Sequence, residues 1–219
     1  MTKPVPESAD QLIVHALDLF GRYGFDGTST RAIAKAAGKP MSAITYHFGG
    51  KEELYVAVAR HLSGRISEHL APAIEAARSA HGDDTPGQAR AQIRTIFSAM
   101  VTMLVKPESA SWARYIVREQ MEPTPAFDEL YKAPMGPMLM HVSQMVCRVT
   151  SGRLSIEDAR LRVMAMFGQI LVFRVCRAFV LRGNGWDDVG EAEAERIRAV
   201  VLDQIDAILD SLEARDQAA

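Results

Sequence analysis

Cysteine is almost absent from this chain. Cys147 and Cys176 are the only two among 219 residues, too few for a disulfide framework, and both lie in apolar helical stretches where a thiol reads as a small core residue. Long apolar runs are lacking as well: no 18-residue stretch is without charge, so no segment is expected to cross a bilayer, and no early apolar segment has the form of a secretion signal. The alternation of apolar and polar residues that marks a half-buried strand is absent too. Catalytic and metal-binding signatures are equally scarce. None of the six histidines follows a glutamate by three residues, HEXXH does not occur, no phosphate loop follows a strand, and no Cys/His cluster has ligand spacing. These absences imply a cytoplasmic protein that is not an enzyme and that needs no metal or cofactor.

What the chain does have is helical periodicity. Hydrophobic residues make up 48% of it, and between Gly and Pro punctuation they recur at three- and four-residue spacing, which predicts an all-α fold with an ample core. Leu12, Ile13, Ala16, Leu17, Leu19 and Phe20 mark a first helix. A long helix is predicted from Glu52 to about Ser79, with Pro72 expected to kink or break it. Further helices are predicted at about 88–105, 109–122, 125–132 and up to Thr150. Ser155-Ile-Glu-Asp158 has the form of a capping box opening a helix to about Leu181, and a last helix runs from about Glu191 to Ala214.

Charge is distributed unevenly. The net charge is only −2, yet from Glu191 to Asp216 there are eight acids against three arginines. Between Gly27 and Lys51 the charged residues are Arg31, Lys35, Lys39 and Lys51, with no acid among them. A near-neutral sum therefore hides a locally basic surface suited to phosphates.

That basic segment reads as two short helices joined by a tight turn. Thr28 can act as an N-cap, Arg31–Ala37 is built of good helix formers, Gly38 supplies a left-handed turn residue, and Pro40 suits the start of a second helix running to Phe48. Ile33, Ala34 and Ala37 face Ile44 and Phe48 across the turn, which leaves Met41, Ser42, Thr45 and Tyr46 on the outside. This is a helix-turn-helix, whose outer face can enter a major groove.

Over about residues 8–60 the chain resembles TetR-family transcriptional regulators. The matching phrases are Phe20-Gly-Arg-Tyr-Gly24-Phe25 leading into Thr28-Ser29-Thr30, then Ile33-Ala34-Lys35-Ala36-Ala37-Gly38, then Tyr46-His47-Phe48-Gly49-Gly50-Lys51-Glu52-Glu53-Leu54. Two departures stand out: Lys39-Pro40 replaces the family's usual Val-Ser, and Ile44-Thr45-Tyr46-His47-Phe48 resembles the I-N-Y-H-F-G of a subgroup that includes the CecR-like regulators. Arg118–Phe127 also resembles a segment of that subgroup.

The resemblance implies a basic DNA-binding head, expected over 8–54, and a helical ligand-binding and dimerisation body, expected over 55–216. In the head Thr28, Tyr46 and Lys51 are expected on phosphates, with Thr30 beside them. Met41, Ser42, Ala43 and Thr45 are expected at base edges, with Lys39 able to reach a guanine. His47 is expected to pack or to bond backbone rather than to act as a pH switch.

In the body the resemblance implies a small-molecule pocket among Met103, Trp112, Tyr115, Arg118, Glu119, Phe127, Met138, His141, Met166, Gln169 and Phe173, because apolar walls with a few polar groups suit such a site. Arg118 and Glu119 are expected either to be paired or held for a polar ligand group if they point inward, and to be merely solvated if they point outward. The apolar stripes on the last two helices are wider than one body face needs, which agrees with the family's four-helix dimer interface. The expected function is a homodimeric, ligand-responsive repressor of a palindromic operator, against the alternatives of an activator or a helical adaptor.

Overall fold

The computed structural model describes residues 7–81 and 85–215. The middle of the loop expected at 81–87, and Asp216, lie outside the described residues. Every regular element among those residues is helical. The first four are α1 (Glu7–Tyr23), α2 (Thr30–Ala36), α3 (Ser42–Phe48) and α4 (Lys51–His81). Next come α5 (Pro86–Val105), α6 (Ser109–Met121), α7 (Pro125–Leu130), a π-turn at Tyr131–Met135 and α8 (Gly136–Val149). The last three are α9 (Ile156–Val175), α10 (Arg177–Asn184) and α11 (Glu191–Arg215). No single helix is long and apolar enough to cross a membrane, and α9 and α10, bent by 75° at their junction, reach that composition only as a pair.

Packing divides the chain into two compact units. The described residues up to Ile66 join Glu108–Pro134, and Ser67–Pro107 joins the described residues from Met135 onward. This division lies further along α4 than the 54/55 boundary expected from sequence, and it places α6 and α7 with the helix-turn-helix.

In the first unit α1 is the hub, packing against α6, α2 and α3. Its stripe Leu12, Ile13, Ala16, Leu17 and Phe20 is buried, as are Ile33 and Ala34 of α2, Ile44 of α3 and Leu54, Val58 and Leu62 of α4. Hydrophobic burial at about 25 cal/mol per Å² is what holds helices this short in place.

The second unit is built around α5, which packs on α8, α9 and α11. Ile93, Ile96 and Phe97 of α5 are buried, as are Val142 and Val146 of α8, Val163 and Met166 of α9, and Val201 and Ile205 of α11. The Phe97 and Phe167 rings stack at 5.3 Å. Thr85 caps α5 in a full capping box with Gln88. Ser155 caps α9 by accepting from the Asp158 amide, while its own hydroxyl donates to the Asp158 carboxylate rather than leaving that group for the backbone. The acidity of α11 has a local partner, since Arg90 pairs with Asp206, Asp210 and Glu213, and Arg94 also pairs with Asp206.

Three expectations are modified. Pro72 lies inside α4, which runs through it, so the loss of one backbone bond is carried by a helix with many others. The helix expected to continue to Leu181 instead breaks at Cys176. Cys176 is consequently exposed rather than a core filler, whereas Cys147 is half-buried and its thiol is pushed up by burial.

Gly24 ends α1 at φ +76, and a Cβ there would stand 2.9 Å from Arg118 Nη1. Gly24→Ala is expected to lower the unfolding free energy by about 1–2 kcal/mol, read from urea denaturation, because the alanine must hold a left-handed backbone and displace that guanidinium.

Candidate nucleic-acid interface

The loop between α1 and α2 is tied down from within. Thr28 is 2% exposed, and its hydroxyl donates to the carbonyls of Gly24 at 2.7 Å and Leu19 at 3.1 Å. Ser29, not Thr28, caps α2: its backbone is extended and its side chain accepts from the Ala32 amide at 3.1 Å. The expected cap therefore shifts by one residue. The Thr28 hydroxyl, expected on a phosphate, is instead committed to the carbonyls at the end of α1.

At the turn, Gly38 adopts φ +63, and the Lys39 amide donates back to Ala34 at 2.9 Å. That geometry requires glycine and closes α2 with its last carbonyls satisfied. Beyond it Met41, Ser42, Thr45 and Tyr46 are exposed, Tyr46 at 85%. Ala43, Lys39, Thr30 and Lys51 are half-buried, and Phe48, expected in the core, is half-buried too. Arg31, Lys35 and Lys39 line a cleft of about 580 Å³ with Ala34 and Met41. Three cations and no carboxylate make that cleft, and the α3 face beside it, attractive to a polyanion.

Supporting contacts hold this face in position. Ser8 Oγ lies 2.8 Å from His47 Nε2, so His47 bonds a side chain at the start of α1 rather than backbone. Lys51 Nζ sits 4.3 Å over the Phe25 ring. Phe25 in turn packs edge-on against Tyr55 at 5.2 Å. The first turn of α4 also carries Glu52 and Glu53, whose charges answer the dipole of that helix.

The residues expected to form one ligand pocket are divided between the two units. Trp112, Tyr115, Arg118, Glu119 and Phe127 belong to the first; Met103, Met138, His141, Met166, Gln169 and Phe173 belong to the second. In the first unit Glu119 is 1% exposed. It accepts from Tyr55 Oη at 2.6 Å and from Thr124 Oγ1 at 2.9 Å and N at 3.1 Å. Tyr115 donates to the Tyr55 carbonyl at 2.7 Å. Burial pushes both phenols above their usual range, with the Glu119 hydrogen bond adding to the shift of Tyr55. Arg118 donates to the carbonyls of Gly21 and Arg22. Glu119 thus finds its partners within the protein, and Arg118, though exposed, is anchored to α1 rather than merely solvated. In the second unit Met103, Met138 and Met166 are buried, while His141, Gln169 and Phe173 are half-buried. Gln169 Oε1 is buried with no hydrogen-bond partner among the described residues.

A short helix pair with a glycine turn, an exposed second helix and an acid-free basic edge defines a helix-turn-helix DNA-binding protein. Known proteins narrow this class. Residues 12–58 match the family profile described as bacterial regulatory proteins, tetR family. Residues 89–212 match the profile described as the C-terminal domain of the HTH-type transcriptional dual regulator CecR. The chain is 33% identical over 217 residues to the HTH-type transcriptional dual regulator CecR of Shigella flexneri, covering 98% of this chain and 97% of that one. It shares the fold of a TetR-like transcriptional regulator from Rhodococcus sp. RHA1 at a TM-score of 0.60, with 20% identity and all of both chains covered. It also shares the fold of AibR, solved in complex with isovaleryl coenzyme A and operator DNA, at a TM-score of 0.64, with 14% identity over 90% of this chain and 96% of that one.

The chain belongs to the TetR family, with a C-terminal domain of the CecR type. It is a DNA-binding transcriptional regulator and not an enzyme.

Sequence reasoning passed over Ser29, which stands next to an equally good capping residue, and Tyr55, whose only sequence signal is its place one turn after Lys51. Ser29→Ala is expected to lower stability by about 1 kcal/mol through loss of the cap, read as a lower midpoint in urea.

Proposed function

We propose that the protein is a ligand-responsive repressor that binds a palindromic operator as a homodimer and is released by a small molecule. The observation that carries this reading is the exposed, acid-free face of α2 and α3. Tyr46 and Lys51 take phosphates, with Thr30 beside them. Met41, Ser42, Ala43 and Thr45 meet base edges through methyl and hydroxyl contacts, and Lys39 reaches a guanine. Thr28 acts by holding the loop rather than by touching DNA.

Dimerisation is supported by exposed apolar residues that the other described residues leave uncovered. On α9 these are Leu161, Met164, Leu171, Val172 and Val175, and Phe179 of α10 and Val200 of α11 are exposed as well. Gly168 lies in the same stripe, and a Cβ there would meet nothing within 4 Å, so a second copy's backbone can approach closely. Two heads related by a two-fold axis then reach successive major grooves roughly 34–36 Å apart. An effector site in the second unit is supported by the buried Gln169 Oε1, which has no partner among the described residues, on a helix that also buries Met166 and stacks Phe167 on Phe97. The ligand favours the dimer state whose heads no longer match that spacing, and operator affinity falls by no more than the ligand's difference in affinity for the two states. The name of the Shigella relative, a dual regulator, favours a second reading in which the same head also activates at some promoters. The protein acts in the cytoplasm.

Selection of bound fragments from a random DNA pool tests the reading: a palindromic site with steep salt dependence is expected, and no enrichment contradicts it. On that site Lys51→Ala is expected to weaken specific and nonspecific binding alike, by about five- to tenfold at 0.1 M salt. Phe179→Asp is expected to shift the protein from dimer to monomer in light scattering, with operator binding lost in parallel.

A further inference from the structure

Two neighbouring residues of α6 grip different parts of the helix-turn-helix unit. Arg118 Nε and Nη2 donate to the carbonyls of Gly21 and Arg22, each at 3.2 Å, in the last turn of α1, where a cation also answers the helix dipole. Glu119 engages α4 instead. Its carboxylate is buried and receives three hydrogen bonds, one from Tyr55 Oη and two from Thr124, the residue that caps α7. A carboxylate in that setting holds its partners firmly, because removing a donor leaves buried charge short of a bond.

Tyr55 stands one turn into α4 from Lys51. Its ring packs edge-on against Phe20 at 4.8 Å and Phe25 at 5.2 Å, and Lys51 Nζ rests 4.3 Å over the same Phe25 ring. A continuous series of contacts therefore runs from Glu119 through the Tyr55 hydroxyl and ring to Phe25 and on to the ammonium of Lys51. Phe25 itself lies in the loop leading to α2, and the Thr28 amide closes that loop by donating to the Phe25 carbonyl at 3.2 Å.

We propose that Glu119 is a positioning residue for DNA binding: by holding Tyr55 against Phe25 it sets the place from which Lys51 meets a phosphate. The proposal rests on the reading of Lys51 as a phosphate contact. Under it Glu119 touches no DNA and yet determines the electrostatic yield of a residue that does.

The experiment is a double-mutant cycle on the full-length protein, with binding to the selected operator measured across a salt series. Lys51→Ala, Tyr55→Phe and Glu119→Gln are each expected to weaken binding about five- to tenfold at 0.1 M salt and to flatten the slope of log K against log salt by about 0.9 per engaged protomer. Combining Lys51→Ala with either of the others is expected to weaken binding no further than Lys51→Ala alone. A packing defect would instead lower the melting temperature and leave the salt slope at the wild-type value, and that result overturns the proposal, as do losses that multiply in the double variants. If Glu119→Gln does not fold, Tyr55→Phe decides alone: it keeps the ring and loses only the hydroxyl, and a wild-type slope from it overturns the proposal. A Lys51→Ala variant with unchanged binding overturns the phosphate reading and this proposal together, whereas an effect of Lys51→Ala with none from Tyr55→Phe overturns the positioning role only.

Discussion

Burial of one stripe of α1 is the constraint on which the DNA-binding unit depends. Helices α2 and α3 are seven residues each, well below the length at which a helix persists unaided in water. They exist because Ile33, Ala34 and Ile44 find Leu12, Ile13, Ala16 and Phe20 to pack against. The polar contacts follow from that burial. Thr28 can close the loop onto Gly24 and Leu19 only because α1 ends where it does, and His47 reaches Ser8 only because α3 lies against the start of α1. The same helix carries α6 on another face, so α6 and α7 belong to this unit.

Electrostatics then separates the tasks of the two units. Arg31 and Lys35 of α2 and Lys39 of the turn line a cleft with no carboxylate, so their field is available to a partner. The acids of α11 are partly answered by Arg90 and Arg94 and serve the packing of the second unit. A chain with a net charge of −2 can in this way present a basic face, and the whole-molecule charge says little about what it binds.

Much of this was legible in the sequence, for reasons that differ by residue. Gly38 followed by Pro40 admits few backbone paths, so the turn and its exposed second helix could be read directly. The fold class followed from periodicity, and the family from several motifs at fixed spacing. The choice between Thr28 and Ser29 as cap was not legible, because both side chains can accept the same bond and only the direction of the loop decides. Nor was the commitment of Arg118 and Glu119 to α1, Tyr55 and Thr124, since those partners are distant in sequence or, like Thr124, indistinguishable from solvated neighbours. A charged pair amid aromatics suggested a ligand site for the same physical reason that it forms an internal latch: both need charge held in a partly apolar setting. The break at Cys176 has no proline or glycine to announce it, and the apolar periodicity continues across it.

The most direct test of the central claim, that two copies present their α3 faces to successive major grooves, is a hydroxyl-radical footprint of the purified protein on its selected operator. The account predicts two protected windows on one side of the duplex, related by symmetry and centred roughly 34–36 Å apart, both of which disappear when Phe179→Asp separates the dimer. A single window, or two that persist in the monomer, would contradict it.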